Sequence, residues 1–135
     1  MSRLYTGRRV LATLFLTSVC LAQSSAHQSL IAGTWRGSSE CVQSESPCHD
    51  EVNVYHFAEM PGKPGTFSGA ADKMEDGKEV VMGTLEWTYD PDRHTLESKI
   101  PRGTFRLVVS GNKMEGTLRL TDNTLYRRIH LQRTQ

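Results

Sequence analysis

Features that mark the common enzyme and metal-site classes are scarce in this chain of 135 residues. It has three cysteines, with no second cysteine pair at a zinc-binding spacing. It also has no Gly-x-Ser-x-Gly motif for a serine nucleophile and no glycine-rich phosphate loop. We therefore predict no catalytic residue, no cofactor and no metal site, and we expect a protein that is not an enzyme.

No apolar run in the chain is long enough to span a membrane comfortably. Residues 10–22 are apolar and uncharged, but a spanning helix needs about 20 such residues. Residues 1–9 carry three arginines and no acidic residue, and small residues follow the apolar run. This arrangement is typical of a cleaved signal peptide. We predict a signal peptide over residues 1–26, a single domain over residues 27–135, and export to the periplasm or the medium without membrane attachment after cleavage.

The few cysteines fit an exported protein. Cys20 would leave with the signal peptide, and Cys41 and Cys48 would remain as a pair. An even pair in an oxidising compartment favours a disulfide. In the chain-entropy model, closing this short loop contributes roughly 2–3 kcal/mol to stability.

A strongly basic composition is also absent. The chain has 16 basic and 15 acidic side chains, so we expect no nucleic-acid partner. The charge is nevertheless uneven, because residues 27–98 carry five basic and thirteen acidic side chains, whereas residues 99–135 carry eight and two. Two interpretations stay open: solvated strand faces that attract each other across the fold, or a surface that steers a charged protein partner.

Turn-forming residues recur at short intervals, and runs rich in Val, Thr, Tyr, Phe and Trp lie between them. This spacing is typical of an all-β sandwich or barrel. Residues 70–79 contain helix formers, but Gly77 and the lack of an apolar stripe favour a strand end plus a turn. We predict eight strands, at residues 31–37, 51–58, 65–72, 78–89, 94–100, 103–110, 113–121 and 124–133. We expect them to close into an antiparallel up-and-down barrel without exposed edges and with no substantial helix.

Alternation along the strands assigns an inward, apolar face to each strand. On the fourth strand, Val81 is expected on the inward face with Leu85 and Trp87. Trp35 is inward on the first strand, and Arg127 interrupts the apolar face of the last strand. These two strands are neighbours in a closed barrel. Arg127 is therefore expected either to stack on Trp35 or to lie near a barrel end and reach water.

The Gly33-Thr34-Trp35 triplet in the first strand and the inward Arg127 in the last strand resemble features of the lipocalin-type (calycin) barrels. The resemblance implies a closed antiparallel barrel in which Gly33, Trp35 and Arg127 are structural, with the tryptophan and arginine packing across the closed end. The chain is shorter than classical lipocalins and lacks the helix that follows their barrel. In size it is similar to compact secreted bacterial barrels that inhibit proteases or lysozymes.

Five histidines raise the question of a metal site. His49, Asp50, Glu51 and His56 lie close together in the sequence. In a strand, Asp50 and His56 fall on one face, whereas His49 and Glu51 fall on the other. The group does not converge, so the sequence predicts no metal site here.

The predicted fold favours binding over catalysis, because an eight-stranded barrel is either filled by side chains or holds one small ligand. Our first hypothesis is a non-enzymatic binding protein that takes a small apolar ligand at the barrel mouth, lined by Tyr55, Trp87 and Tyr89. The alternative is an inhibitor or interaction protein with a filled barrel that binds an exported protein through its loops. A hydrolase or a metal-dependent enzyme ranks last, and we expect a monomer.

Overall fold

The computed structural model describes residues 30–135. The predicted signal peptide and the first residues of the predicted domain lie outside the described residues. Leu30 and Ile31 are helical, and the regular structure that follows them is β-strand. Within the described residues, no helix is long and apolar enough to cross a membrane.

Eight strands form one closed barrel in the order of the sequence. They are β1 (Gly33–Cys41), β2 (Glu51–Glu59), β3 (Thr66–Glu75), β4 (Lys78–Asp90), β5 (Thr95–Ile100), β6 (Gly103–Ser110), β7 (Lys113–Leu120) and β8 (Leu125–Arg133). Each strand pairs antiparallel with the next, and β8 pairs antiparallel with β1. The prediction of an all-β, closed, eight-stranded antiparallel barrel is confirmed.

The turn between β3 and β4 illustrates how local sequence sets the strand ends. It consists of Asp76 and Gly77, whose φ angles are 49° and 77°. Positive φ at both central residues is typical of a type I′ hairpin turn, which matches the twist of the flanking strands. Residues 70–79 thus form a strand end and a turn, as predicted.

A β-bulge interrupts the pairing of β3 with β4. Ala71 pairs with Gly83 and Asp72 pairs with Val81, so Met82 has no partner on β3. The extra residue reverses the alternation of faces along β4. The prediction that Val81 lies on the inward face is therefore wrong, because Val81 points outward and is 77% exposed.

Most of the buried apolar side chains form one cluster inside the barrel. Its members are Ile31, Trp35, Tyr55, Phe57, Phe67, Ala71, Trp87, Tyr89, Leu96, Leu107, Val109, Met114, Ile129 and Leu131. The barrel has two ends. We call the end where β1 begins and β8 ends the seam end, and the end where β1 ends and β8 begins the disulfide end.

Trp35 closes the seam end. Its side chain is inward and fully buried, as predicted, and its indole Nε1 donates a hydrogen bond of 2.9 Å to the Ile31 carbonyl. The cation over its ring is Arg133, whose Cζ lies 4.4 Å from the ring centroid. The proposed stacking of Arg127 on Trp35 is wrong. Arg127 lies opposite Cys41 at the far end of β1, whereas Arg133 lies opposite Trp35.

Gly33 lies beside this stacked pair, with φ 130°. A Cβ at this position would lie 2.7 Å from Nη1 of Arg133 and closer still to the Gln135 carbonyl oxygen. Arg133 needs that position, because its guanidinium donates hydrogen bonds to the carbonyls of Leu30 and Ala32. These contacts agree with a structural role for Gly33.

Candidate functional site

The disulfide end is covered on one side by the loop between β1 and β2. Cys41 and Cys48 form a disulfide with their Cα atoms 6.0 Å apart, which confirms the predicted pair. The Asp50 carboxylate accepts a hydrogen bond of 2.8 Å from the Cys41 amide. The hydroxyls of Ser46 and Tyr126 are 3.3 Å apart and share a hydrogen bond. The loop is therefore attached to the end of β1 and to the neighbouring strand β8.

Arg127 lies inside this end of the barrel, with its side chain 14% exposed. Its Nη1 donates hydrogen bonds to the carbonyls of Ser39 and His49, at 3.1 and 3.2 Å, and to the Ser39 hydroxyl at 3.1 Å. Oε2 of Glu51 is 3.7 Å from the same nitrogen. A charge removed from water needs such partners. Together they hold the guanidinium at the barrel end, which agrees with the second expectation for this residue.

Two other donor atoms of Arg127 are available for hydrogen bonds. Among the described residues, Nε and Nη2 make no hydrogen bond, and neither atom is fully enclosed. A guanidinium presents a planar fork of donors that matches a carboxylate. Arg127 therefore has hydrogen bonds to offer to a molecule at the disulfide end.

An aromatic group lies deeper in the barrel. Trp87 contacts Tyr55 and Phe57 edge-on, with centroid distances of 5.9 and 5.5 Å, and Phe105 at a tilt, at 5.6 Å. Tyr55 also stacks on Phe57 at 5.7 Å. Trp87 is fully buried and Tyr55 is 3% exposed. The structure thus brings together two of the three residues predicted to line a ligand site.

The Tyr55 hydroxyl is influenced by the charges at the disulfide end of the barrel. Burial raises the pKa of Tyr55 to about 12; the positive charge of Arg127 lowers this pKa in part and the negative charge of Glu51 raises it. The disulfide end therefore combines a cation, a carboxylate and a phenol next to an aromatic floor.

Two inward polar atoms in the described part of the chain are buried without a hydrogen-bond partner: Nε1 of Trp87 and Oγ of Ser98. The indole nitrogen lies against Gly69, where a Cβ would approach it to 2.5 Å. A buried donor without an acceptor costs about 1–3 kcal/mol. The interior of the barrel therefore bears this cost at the indole nitrogen.

Tyr89, the third residue predicted to line the ligand site, lies at the seam end. Its hydroxyl and Nδ1 of His94 are 3.2 Å apart and share a hydrogen bond, and its amide donates to the Gly65 carbonyl at 2.8 Å. Burial, and secondarily the charge of Asp90, raises the pKa of Tyr89 above its usual value. The structure does not bring Tyr89 to Arg127.

A second group of side chains, on the outer face of the barrel, was missed by the sequence analysis. His56 on β2, Asp72 on β3 and Glu79 on β4 each place one potential ligand atom within 4.8 Å of the others. Alternation correctly separated His56 from His49 and Glu51. The side chains close to His56 belong to β3 and β4. The register between strands is needed to place them next to His56.

No protein-family model matches this chain, and no curated protein matches it. The closed eight-stranded antiparallel barrel is consistent with the lipocalin-type resemblance. A barrel of this kind is compatible with a binding protein.

Proposed function

We propose that this protein is a non-enzymatic binding protein that takes a small ligand at the disulfide end of its barrel. The ligand has an apolar body and a carboxylate or similar acceptor as its head. The observation that carries this proposal is Arg127, which lies inside the disulfide end of the barrel. Its Cζ is 5.9 Å from the Tyr126 ring centroid, and its Nε and Nη2 make no hydrogen bond among the described residues.

The apolar body of the ligand would rest on inward side chains that are not fully covered. Leu85 and Phe105 are partly buried and pack against the core cluster. Phe105 also contacts Trp87, so a ligand on the exposed part of Phe105 would lie next to the aromatic group. Covering such surface gains about 25 cal/mol for each Å² removed from water.

The head of the ligand would meet Arg127. A charge-assisted hydrogen bond from a guanidinium is stronger than a neutral one, and its fork favours a planar acceptor. Glu51, 3.7 Å from Nη1, disfavours a second anion on its own side and leaves the Nε and Nη2 edge for the ligand. An acidic head is therefore preferred over a neutral or basic head.

We infer an exported monomer in the periplasm or the medium, where the Cys41–Cys48 disulfide persists. The disulfide fixes the loop that supplies the His49 carbonyl to Arg127. An oxidising compartment thus preserves the geometry of the proposed site.

Three eight-carbon compounds that differ only in the head group test this function: octanoate, octanol and octylamine. Binding is measured by titration calorimetry on the wild type, Arg127→Met and Arg128→Met. Arg128 is the control because it lies next in the chain but is exposed. We expect octanoate to bind most tightly to the wild type. Arg127→Met should weaken octanoate binding about 10- to 100-fold and remove the preference, whereas Arg128→Met should change neither.

Arg127→Lys is the second variant, because it keeps a positive charge and removes only the planar fork. It should bind octanoate more weakly than the wild type but still prefer it to octylamine. Equal affinity for the three compounds in the wild type would contradict the proposed head group.

A second candidate function is the binding of an exported protein partner. Three consecutive apolar residues at the β3–β4 hairpin, Val80, Val81 and Met82, are exposed. Exposed apolar surface of this kind is found at protein interfaces. Failure of all three compounds to bind would leave this candidate as the favoured one.

A further inference from the structure

The outer face of the barrel carries a convergent group of three side chains from three successive strands. Nε2 of His56 is 3.4 Å from Oδ2 of Asp72 and 3.3 Å from Oε2 of Glu79. The β3–β4 bulge shapes this group, because it shifts the residues of β4 relative to Asp72. The group lies outside the barrel and is separate from the proposed ligand site.

Two of the three distances between these ligand atoms fit a bound metal ion. Ligand atoms about 2.0–2.1 Å from a tetrahedral ion are separated by about 3.3–3.4 Å along the edges of the tetrahedron. The two nitrogen–oxygen distances in the group have these values. Two carboxylates also balance the charge of a divalent cation.

Asp72 supplies a separate observation. The residue is only 7% exposed, and its Oδ1 is fully buried without a hydrogen-bond partner in the described residues. A buried carboxylate oxygen without a donor is costly unless a cation or a proton is nearby. Oδ2 of the same carboxylate faces His56, so the carboxylate already points toward the group.

A hydrogen bond with Thr34 orients the ring of His56. Its Nδ1 and the Thr34 hydroxyl are 3.2 Å apart and share a hydrogen bond. When Nδ1 donates that bond, the lone pair of Nε2 faces the two carboxylates, which is repulsive unless a cation lies between them. Ligating histidines commonly use their other ring nitrogen in this way, which fixes the tautomer and the ring orientation.

We propose that His56, Asp72 and Glu79 form a binding site for a divalent transition-metal ion, with Zn²⁺ as the probe. One imidazole and two carboxylates suit such an ion, whereas Mg²⁺ and Ca²⁺ select oxygen ligands alone. His56 and Glu79 have half-exposed side chains, so the ion reaches the site from solvent and keeps at least one water ligand. The ion would join β2, β3 and β4 on the outer face.

The test is a Zn²⁺ titration of the purified protein by calorimetry, with the imidazole resonances followed by NMR. We expect one Zn²⁺ to bind and to shift the His56 resonances. His56→Gln should lower the affinity at least about tenfold. Glu79→Gln should do the same, and it keeps the test valid if His56→Gln impairs folding. Thr34→Val, which removes only the orienting hydroxyl, should lower the affinity about tenfold.

The matched controls are His130→Gln and Glu115→Gln. These residues form an exposed histidine–carboxylate pair on the outer face, with Nδ1 and Oε1 3.8 Å apart, but without a second carboxylate. Both variants should bind Zn²⁺ within about twofold of the wild type, and Mg²⁺ and Ca²⁺ should not shift His56. Absence of a Zn²⁺-induced shift at His56 would overturn the proposal, as would equal losses in His56→Gln and His130→Gln.

Discussion

Two arginines of β8 point into the barrel, and each is held at a different end. Arg133 stacks on Trp35 and caps the carbonyls of Leu30 and Ala32, which completes the seam end. Arg127 is bound to Ser39 and the loop at the disulfide end. The same residue type thus has a structural role at one end and a proposed ligand-binding role at the other.

Replacing Arg133 tests the structural role. Arg133→Met removes a cation–π contact and two hydrogen bonds from a charged donor, so we expect the free energy of unfolding to fall by about 2–4 kcal/mol. Because the guanidinium covers the Trp35 ring, the tryptophan fluorescence should also change. Denaturant titration with fluorescence detection measures both effects. An unchanged midpoint would show that the stack on Trp35 contributes nothing.

The buried Tyr55 predicts a loss of stability at high pH. Its pKa rises from 10.0 to about 12 on folding, so between these values the unfolded chain loses the proton and the folded protein keeps it. Stability should therefore be intact below pH 10 and fall as the pH rises toward 12, by about 2–3 kcal/mol from this residue.

Urea titrations from pH 9 to pH 12 on the wild type and Tyr55→Phe measure this contribution. Tyr55→Phe should reduce the pH dependence above pH 10 and leave the part contributed by Tyr89, whose pKa is also raised. The same steep fall in Tyr55→Phe as in the wild type would show that another group controls alkaline unfolding.

At the scale of strands, the turn signals predicted the topology correctly. The alternation of apolar residues predicted the faces of the strands less well. Eight runs separated by turns allow few topologies, and short connections force neighbours to pair antiparallel. A bulge has no comparable signal. Val80, Val81 and Met82 are consecutive apolar residues that suit either face, and only the mismatch in length against β3 decides which way each one points. The predicted position of Val81 failed for this reason.

The candidate sites show the same limit. Tyr55 and Trp87 contact each other because both are inward aromatics on neighbouring parts of one sheet, and their role in ligand binding stays a prediction. The contacts of Arg127 and of His56 depend on the register between different strands, which alternation within one strand does not contain. Tyr89 shares its face with Trp87 but extends to the other end of the barrel.

Close packing of β3 against β4 gives a prediction at this scale. A Cβ at Gly69 would lie 2.5 Å from Nε1 of Trp87 and 2.7 Å from Cε1 of Phe57. Gly69→Ala should therefore lower the free energy of unfolding by about 1–3 kcal/mol through overpacking. In a double-mutant cycle with Trp87→Phe, which makes room, the cost of Gly69→Ala should shrink. Additive costs would mean that the two residues do not compete for space.

At the scale of the whole molecule, the uneven charge along the chain places many basic residues on one side of the barrel. The outer face of β5 to β7 bears a groove of about 660 Å³ whose lining includes Lys99, Arg106 and Arg119. Two of these cations have partners in the fold, because Arg106 pairs with Glu97 and Arg119 donates to the Asn123 carbonyl. This pairing supports the interpretation of solvated, mutually attractive faces. The proposed function therefore rests on the barrel interior and not on the basic wall.

The position of a bound ligand decides whether Arg127 and the aromatic group form the binding site. An NMR titration of the labelled protein with octanoate locates the contact directly, with Arg127 Nε, Tyr55, Phe105 and the Trp87 indole as reporters. We predict shifts at these groups, at the disulfide end, and none at Tyr89 or His94 at the seam end. Shifts confined to the seam end or to the outer groove would contradict the central claim that Arg127 and the aromatic floor form the binding site.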